Sequence, residues 1–127
     1  MLETQSQLDF LAAAVVGISL AILAFLLSKT VITSSIFKKG VNLYNQKDYK
    51  NAEAAFRKVI KLQRTNDMVR LLLGNTLLEQ DKLEDAASVF QELISRSPKN
   101  IDAYLSLGEV LIKQASLWKR LRLYLGN

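Results

Sequence analysis

Apolar residues run without a charge for 18 positions from Phe10 to Leu27, FLAAAVVGISLAILAFLL, and only after that does the chain take up an alternating rhythm. As a helix this run is about 27 Å long, close to the roughly 30 Å hydrocarbon core of a bilayer. Eleven of its residues are Leu, Ile, Val or Phe, each favouring insertion by about 0.3 to 0.6 kcal/mol. The pattern predicts a transmembrane anchor over 10–28 behind a polar tail, 1–9. A buried core helix would be hydrophobic all round in the same way, but the hundred residues that follow are too few to wrap one. A cleaved signal peptide begins with positive charge, whereas MLETQSQLD carries Glu3 and Asp9 and no lysine or arginine.

From Ile36 onward apolar positions recur at helical spacing, broken by short polar turns such as QKD and EQDK. Glycine marks the rhythm: Gly40, Gly74 and Gly108 stand 34 residues apart. Each unit, from about Thr33, Asp67 and Ile101, begins with a helix and turns into another, so the expected fold is all-α. Asp81 followed by Glu84 is an acidic variant of the capping box that starts a helix near Lys82, and Pro98 with Asn100 marks a stop and restart. TVITSS, rich in β-branched residues and hydroxyls, predicts a break in helix and a linker over 29–35.

The 34-residue period resembles the tetratricopeptide repeat family, whose antiparallel helix pairs place a small residue at the crossing, a second on helix B and an aromatic one turn beyond it. The second unit carries Leu73, Gly74, Leu83, Ala86, Phe90 and Pro98 in that pattern. The first has Gly40, Tyr49, Ala52 and Phe56, with Lys39 and Arg64 where leucine and proline are usual. The third has Tyr104, Leu107 and Gly108 and then departs, with Arg120 at the small-residue position. The resemblance implies a short superhelix over 36–114. The stretch 115–127 is then a capping helix with Leu117, Trp118, Leu121, Tyr124 and Leu125 on one face, covering the last repeat or leaning on a membrane surface.

What the resemblance implies about binding is a concave face lined mainly by the first helix of each unit. Carried onto this chain, it comprises Ser34, Phe37, Val41, Tyr44 and Asn45, then Met68, Leu71, Asn75, Leu78 and Glu79, and finally Asp102, Leu105, Glu109, Ile112 and Lys113. Phe37 and Val41 stand where some family members place lysine and asparagine to clamp a terminal carboxylate, which argues against that ligand. An apolar groove with an acidic edge suits an amphipathic or hydrophobic helix bearing some positive charge. Packing against the chain's own terminus, or against a second copy, is the alternative use of these side chains. In the anchor, Ala13, Gly17 and Ala21 lie four apart on one face, continued by Ala24 and Ser28, as close helix contact in a membrane requires.

Charge sharpens this picture. Of the net +5, the excess sits in residues 29–66, which hold nine Lys or Arg against two acids. Lys29, Lys38 and Lys39 follow the anchor and predict, by the positive-inside rule, an N-terminus across the membrane and repeats on the cytoplasmic or stromal side. Lys47, Lys50, Arg57, Lys58 and Lys61 extend the basic run. It lacks interleaved exposed aromatics and lies beside the anchor, so anionic headgroups explain it better than nucleic acid. With no histidine and no cysteine, neither the commonest general base nor a thiolate metal site is present, and no constellation suggests an enzyme, a cofactor or a metal centre. The functional expectation is a membrane-anchored protein-interaction module. Its layout resembles the cyanobacterial and plastid proteins that assist photosystem I assembly, which implies a thylakoid or bacterial inner membrane. A targeting-peptide import receptor and a small permanent or self-associating subunit of a membrane complex, including a homodimer, are the alternatives.

Overall fold

The computed structural model describes residues 1–126, and among them all regular structure is helical. Five helices follow in order: α1, Leu2–Asn45; α2, Tyr49–Leu62; α3, Asp67–Glu79; α4, Leu83–Arg96; and α5, Ile101–Leu125. The period expected from the glycines reappears in the boundaries, since α2 and α4 start 34 residues apart, as do α3 and α5. The chain divides into two compact units, Met1–Ser34 and one beginning at Ser35.

In the first unit the apolar run is helical throughout, and none of its 18-residue window is buried. By length and composition it is the one helix among the described residues able to cross a membrane. The expected break at 30–35 is absent, because α1 is continuous from Leu2 to Asn45. Two features of the sequence explain this. The hydroxyls of Thr30 and Thr33 donate to the carbonyls of Leu26 and Lys29 at 2.9 and 2.7 Å, so they bond within the helix instead of competing with it. Moreover, α3 and α5 start on Asn66 and Asn100, whose side chains accept from the backbone N–H three residues on. The residue 34 before Asn66 is Ile32, which has nothing to cap with.

In the second unit, helices pair as antiparallel hairpins. The turns are nearly identical: Asp48 N–H donates to the Leu43 carbonyl at 2.9 Å and Lys82 N–H to the Leu77 carbonyl at 3.0 Å, six-to-one bonds that close a Schellman motif. Each turn hinges on a residue in the left-handed region, Lys47 at φ 63° and Asp81 at φ 58°. Asp81 therefore shapes the turn and does not cap α4, whose N-cap is Lys82 without a side-chain bond; the capping box is a correction to the expectation. The third position in the series is Ala115. Alanine is the best helix former and tolerates the left-handed region poorly, so α5 runs straight through 115 to Leu125 and no separate capping helix forms.

The core lies between the paired helices. Ala52, Phe56 and Val59 of α2, Val69, Leu73 and Leu77 of α3, and Ala86 and Phe90 of α4 are buried, and Val110 of α5 joins them. Gly40 and Gly74 sit beneath the two phenylalanines. A Cβ on Gly40 would come within 2.8 Å of the Phe56 ring, and one on Gly74 within 2.3 Å of the Phe90 ring. Glycine is required at both crossings because the ring occupies the space of a side chain.

Polar contacts stitch one repeat to the next. Glu53 of α2 accepts hydrogen bonds from Gln80 Nε2 at 3.1 Å, Lys82 Nζ at 2.9 Å and Arg57 Nε at 3.0 Å. Burial alone would raise its pKa, but these donors outweigh it and hold the carboxyl below the usual range. Asp67 is lowered first by the Ser97 hydroxyl and then by Arg96 and Arg70. Both groups therefore bind a proton more weakly folded than unfolded. Their contribution is complete above the unfolded carboxylate value of about 4 and is lost as pH falls through the lower folded value. Urea midpoints should stay level from pH 7 to 5 and drop below about pH 4. Glu53→Gln should flatten that drop and cost about 1 to 2 kcal/mol at neutral pH; an unchanged acid limb would show that Glu53 does not couple the repeats.

Candidate protein-binding groove

Side chains on the first helix of each hairpin decide what the repeat unit can hold, and burial sorts the expected groove residues into three groups. Leu78 is 4% exposed and packs in the core with Leu77 and Leu83. It is not an open groove anchor, which corrects the expectation: on α3 it stands four residues past Gly74 and shares the crossing face. Phe37, Val41, Tyr44 and Leu71 are half-buried, with one edge against the core and the other free. Asn75 is half-buried as well. The remainder are exposed: Met68, Glu79, Asp102, Leu105, Glu109 and Ile112, with Ser34, Asn45 and Lys113 beyond them.

Tyr44 lies at the first hairpin turn. Its ring meets Tyr49 edge-on, with centroids 5.4 Å apart. Burial pushes its phenol up, and the nearby negative charges of Glu79 on α3 and Glu109 on α5 push it further. Two carboxylates, one from α3 and one from α5, thus act on the phenol electrostatically. Phe37 is anchored from below by the Phe56 ring, at 6.4 Å and 50°. Phe37, Val41, Tyr44 and Leu71 thus pack on the core with one edge free, while Met68 and Leu105 protrude.

Elsewhere the expected sites fare differently. Ala13, Gly17 and Ala21 are exposed, and nothing lies within 4 Å of a Cβ on Gly17, so that face of α1 is bare. Lys38, Lys39, Lys47, Lys50, Arg57, Lys58 and Lys61 are all exposed, Lys39 and Lys58 lining a crevice between α1 and α2. The apolar face expected to cap the last repeat is not covered: Leu117, Trp118, Leu121, Tyr124 and Leu125 remain 45% to 87% exposed.

Sequence reasoning missed Arg70. It is 5% exposed, with Nε 3.5 Å from Glu92 and Nη1 3.9 Å from Asp67, and Nη1 itself makes no hydrogen bond. The only sequence signal is its register, four residues before Gly74 on the side that faces α4. Its role is to tie α3 to α4, not to line the groove.

Comparison with known proteins agrees with this architecture. The family model for the tetratricopeptide repeat matches residues 37–101 and, in an overlapping register, 71–117. Among solved structures the chain is similar to the Arabidopsis OM64 TPR domain, with a TM-score of 0.64 over 69% of this chain and 73% of that one, at 20% identity, a likeness of fold. A search of curated proteins by sequence returned no match. Two matched registers spanning more than half of the chain, two Gly–Phe crossings and a 34-residue helical period together establish that the chain belongs to the tetratricopeptide repeat family.

Proposed function

We propose that this protein is a membrane-tethered adaptor that holds a helical segment of a membrane-complex subunit while the complex is assembled. The family is a protein-interaction scaffold, and specificity in such a scaffold lives in its groove. The observation that carries the reading is the half-exposed strip from Phe37 to Leu71, with Glu79 and Glu109 brought to its edge at Tyr44. An apolar helix with flanking positive charge is the chemistry of a transmembrane segment and its cytoplasmic border. The tether is the unburied apolar run of α1. Lys29, Lys38 and Lys39 support an orientation with the repeats on the cytoplasmic or stromal side. Photosystem I is the proposed complex on grounds of layout alone: anchor first, then two to three repeats.

Three measurements test this. Removing residues 1–28 should release the protein from membranes, and protease added to sealed vesicles with the cytoplasmic side inward should spare the repeats. Digestion of the repeats in those vesicles overturns the orientation. Native gels should show transient comigration with assembly intermediates; a constant ratio to the mature complex would instead make the protein a permanent subunit.

A further inference from the structure

A crevice of about 440 Å³ opens between α1 and α2, lined by the apolar side chains of Ile36, Leu43, Ala54 and Ala55 and by Lys39 and Lys58. The second repeat shows how the same positions look when they are covered. Ile36, Lys39 and Leu43 correspond, 34 residues on, to Arg70, Leu73 and Leu77. With α2 and α4 both packed on α3, these three are 5%, 3% and 0% exposed. Lys58 corresponds to Glu92, which meets Arg70 at 3.5 Å. The first repeat thus has lysines where the second has a core leucine and a paired glutamate. Both are exposed, and neither takes part in an ion pair among the described residues. Asn51 also lines the crevice and binds an acid, Asp48, but that carboxylate is already engaged, accepting from the Asn51 N–H at 3.3 Å and from its Nδ2 at 2.8 Å. An apolar helix packed here as in the later repeats would bury an unpaired ammonium, a heavy cost. The occupant must bring negative charge.

We propose that this crevice holds the headgroup of an anionic phospholipid, the phosphate bound by Lys39 and Lys58 and the glycerol and first chain carbons lying on Ile36, Leu43 and the two alanines. Charge and polarity select an anionic amphiphile. Ammonium groups bind phosphate as point charges, and the methylene stems of lysine suit apolar neighbours. Size agrees, since small-ligand pockets run from roughly 300 to 1,000 Å³ and a volume near the lower end admits a headgroup without whole chains. Supply favours a lipid over an acidic peptide. The crevice begins at Ile36, nine residues after the apolar run ends at Leu27, and anionic lipid is at hand wherever that run is inserted. Only this step rests on the proposed tether. The site differs from the diffuse attraction of the whole basic run in requiring two particular lysines and an apolar lining.

The test uses the full chain in a non-ionic detergent, so it asks nothing of orientation or of the groove. Short-chain phosphatidylglycerol, phosphatidylcholine and glycerol phosphate are titrated in turn, and bound ligand is counted by native mass spectrometry. One phosphatidylglycerol should bind per chain, about thirtyfold more tightly than phosphatidylcholine. Lys39→Gln combined with Lys58→Gln should remove that preference and leave helical circular dichroism unchanged, because both side chains are exposed. Lys50→Gln combined with Lys61→Gln, exposed lysines outside the crevice, should keep it. Ala54→Leu fills the crevice and spares its charge, and should weaken binding as well. Phosphatidylglycerol that stays on the Lys39→Gln, Lys58→Gln protein sits elsewhere, such as the apolar run of α1, and overturns the proposal. Equal losses from the two lysine pairs reduce the effect to net charge and overturn it too. Glycerol phosphate binding as tightly as the lipid would make the crevice a free phosphate site, and displacement of the lipid by a lower concentration of an acidic amphipathic peptide would make a protein segment its occupant; either result refutes the lipid. A chain that binds no phosphatidylglycerol yet needs residues 1–28 for membrane retention refutes the crevice and leaves the adaptor reading intact.

Discussion

Gly74→Leu should remove most or all of the stability of the repeat unit, while Gly108→Ala leaves it at least as stable as the parent. At Gly74 even the first carbon of a side chain would lie 2.3 Å from the Phe90 ring. That ring cannot yield, because Phe90 is fully buried and its neighbours Leu73 and Leu77 are 3% and 0% exposed. Overpacking costs about 1 to 3 kcal/mol where the surroundings give way, and expelling the ring forfeits about 3 to 5 kcal/mol of its burial. Together these cost about 4 to 8 kcal/mol, which is most or all of the stability of a small domain near the lower end of the usual range, about 5 kcal/mol. Gly40→Leu, facing Phe56 at 2.8 Å, should fall between. Gly108 has open space, and alanine there gains up to about 1 kcal/mol of helix propensity. Urea unfolding of the three variants checks the order, and a Gly74→Leu protein that melts within a degree or two of the parent would falsify the crossing.

Leu78→Ser and Leu71→Ser should separate folding from binding, although the residues lie two turns apart on one helix. Leu78 is 4% exposed within the core. Its replacement removes a buried side chain and leaves a hydroxyl without a partner, at about 3 to 5 kcal/mol. Leu71 keeps a free edge, so its loss should cost the fold about 1 kcal/mol or less. Capture of a helical partner, in contrast, should weaken by about 1 to 3 kcal/mol, five- to a hundredfold, as one anchor is removed. The two readouts are thermal melting and the affinity for a synthetic apolar helix flanked by lysines. Equal destabilisation by both substitutions would place Leu71 in the core and move the groove elsewhere.

The repeat architecture was legible because glycine, small residue and aromatic recur in one register, and each has a steric reason to do so: Gly74 makes room for Phe90, and Gly40 for Phe56. The family's groove positions transferred less well, since a resemblance supplies register and not depth. Leu71 and Leu78, seven residues apart, share nearly the same face of α3, and only packing tells the half-buried one from the core one. Helix ends depend on register, which local composition does not show. TVITSS has the composition of a breaker, but the informative residue is Ile32, standing where Asn66 and Asn100 cap the later helices. Likewise the continuity of α5 turns on Ala115, whose meaning appears only beside the left-handed Lys47 and Asp81. Arg70 was invisible to pattern reading, because a charged residue on a crossing face breaks the rule that such faces are apolar.

The packing of α2 on α3, α3 on α4 and α4 on α5 also governs how the protein is made. Every substantial interface joins helices that are neighbours in the chain or one removed, so the loops closed in forming them are short and the contact order is low. Folding on the microsecond-to-millisecond scale typical of helical proteins rich in local contacts follows, whereas synthesis proceeds at about 5 to 20 residues per second. Each hairpin therefore has ample time to close before the next helix is complete. The Phe56 crossing can form before Phe90 has been added to the chain, and the repeat unit assembles in the order in which it is translated.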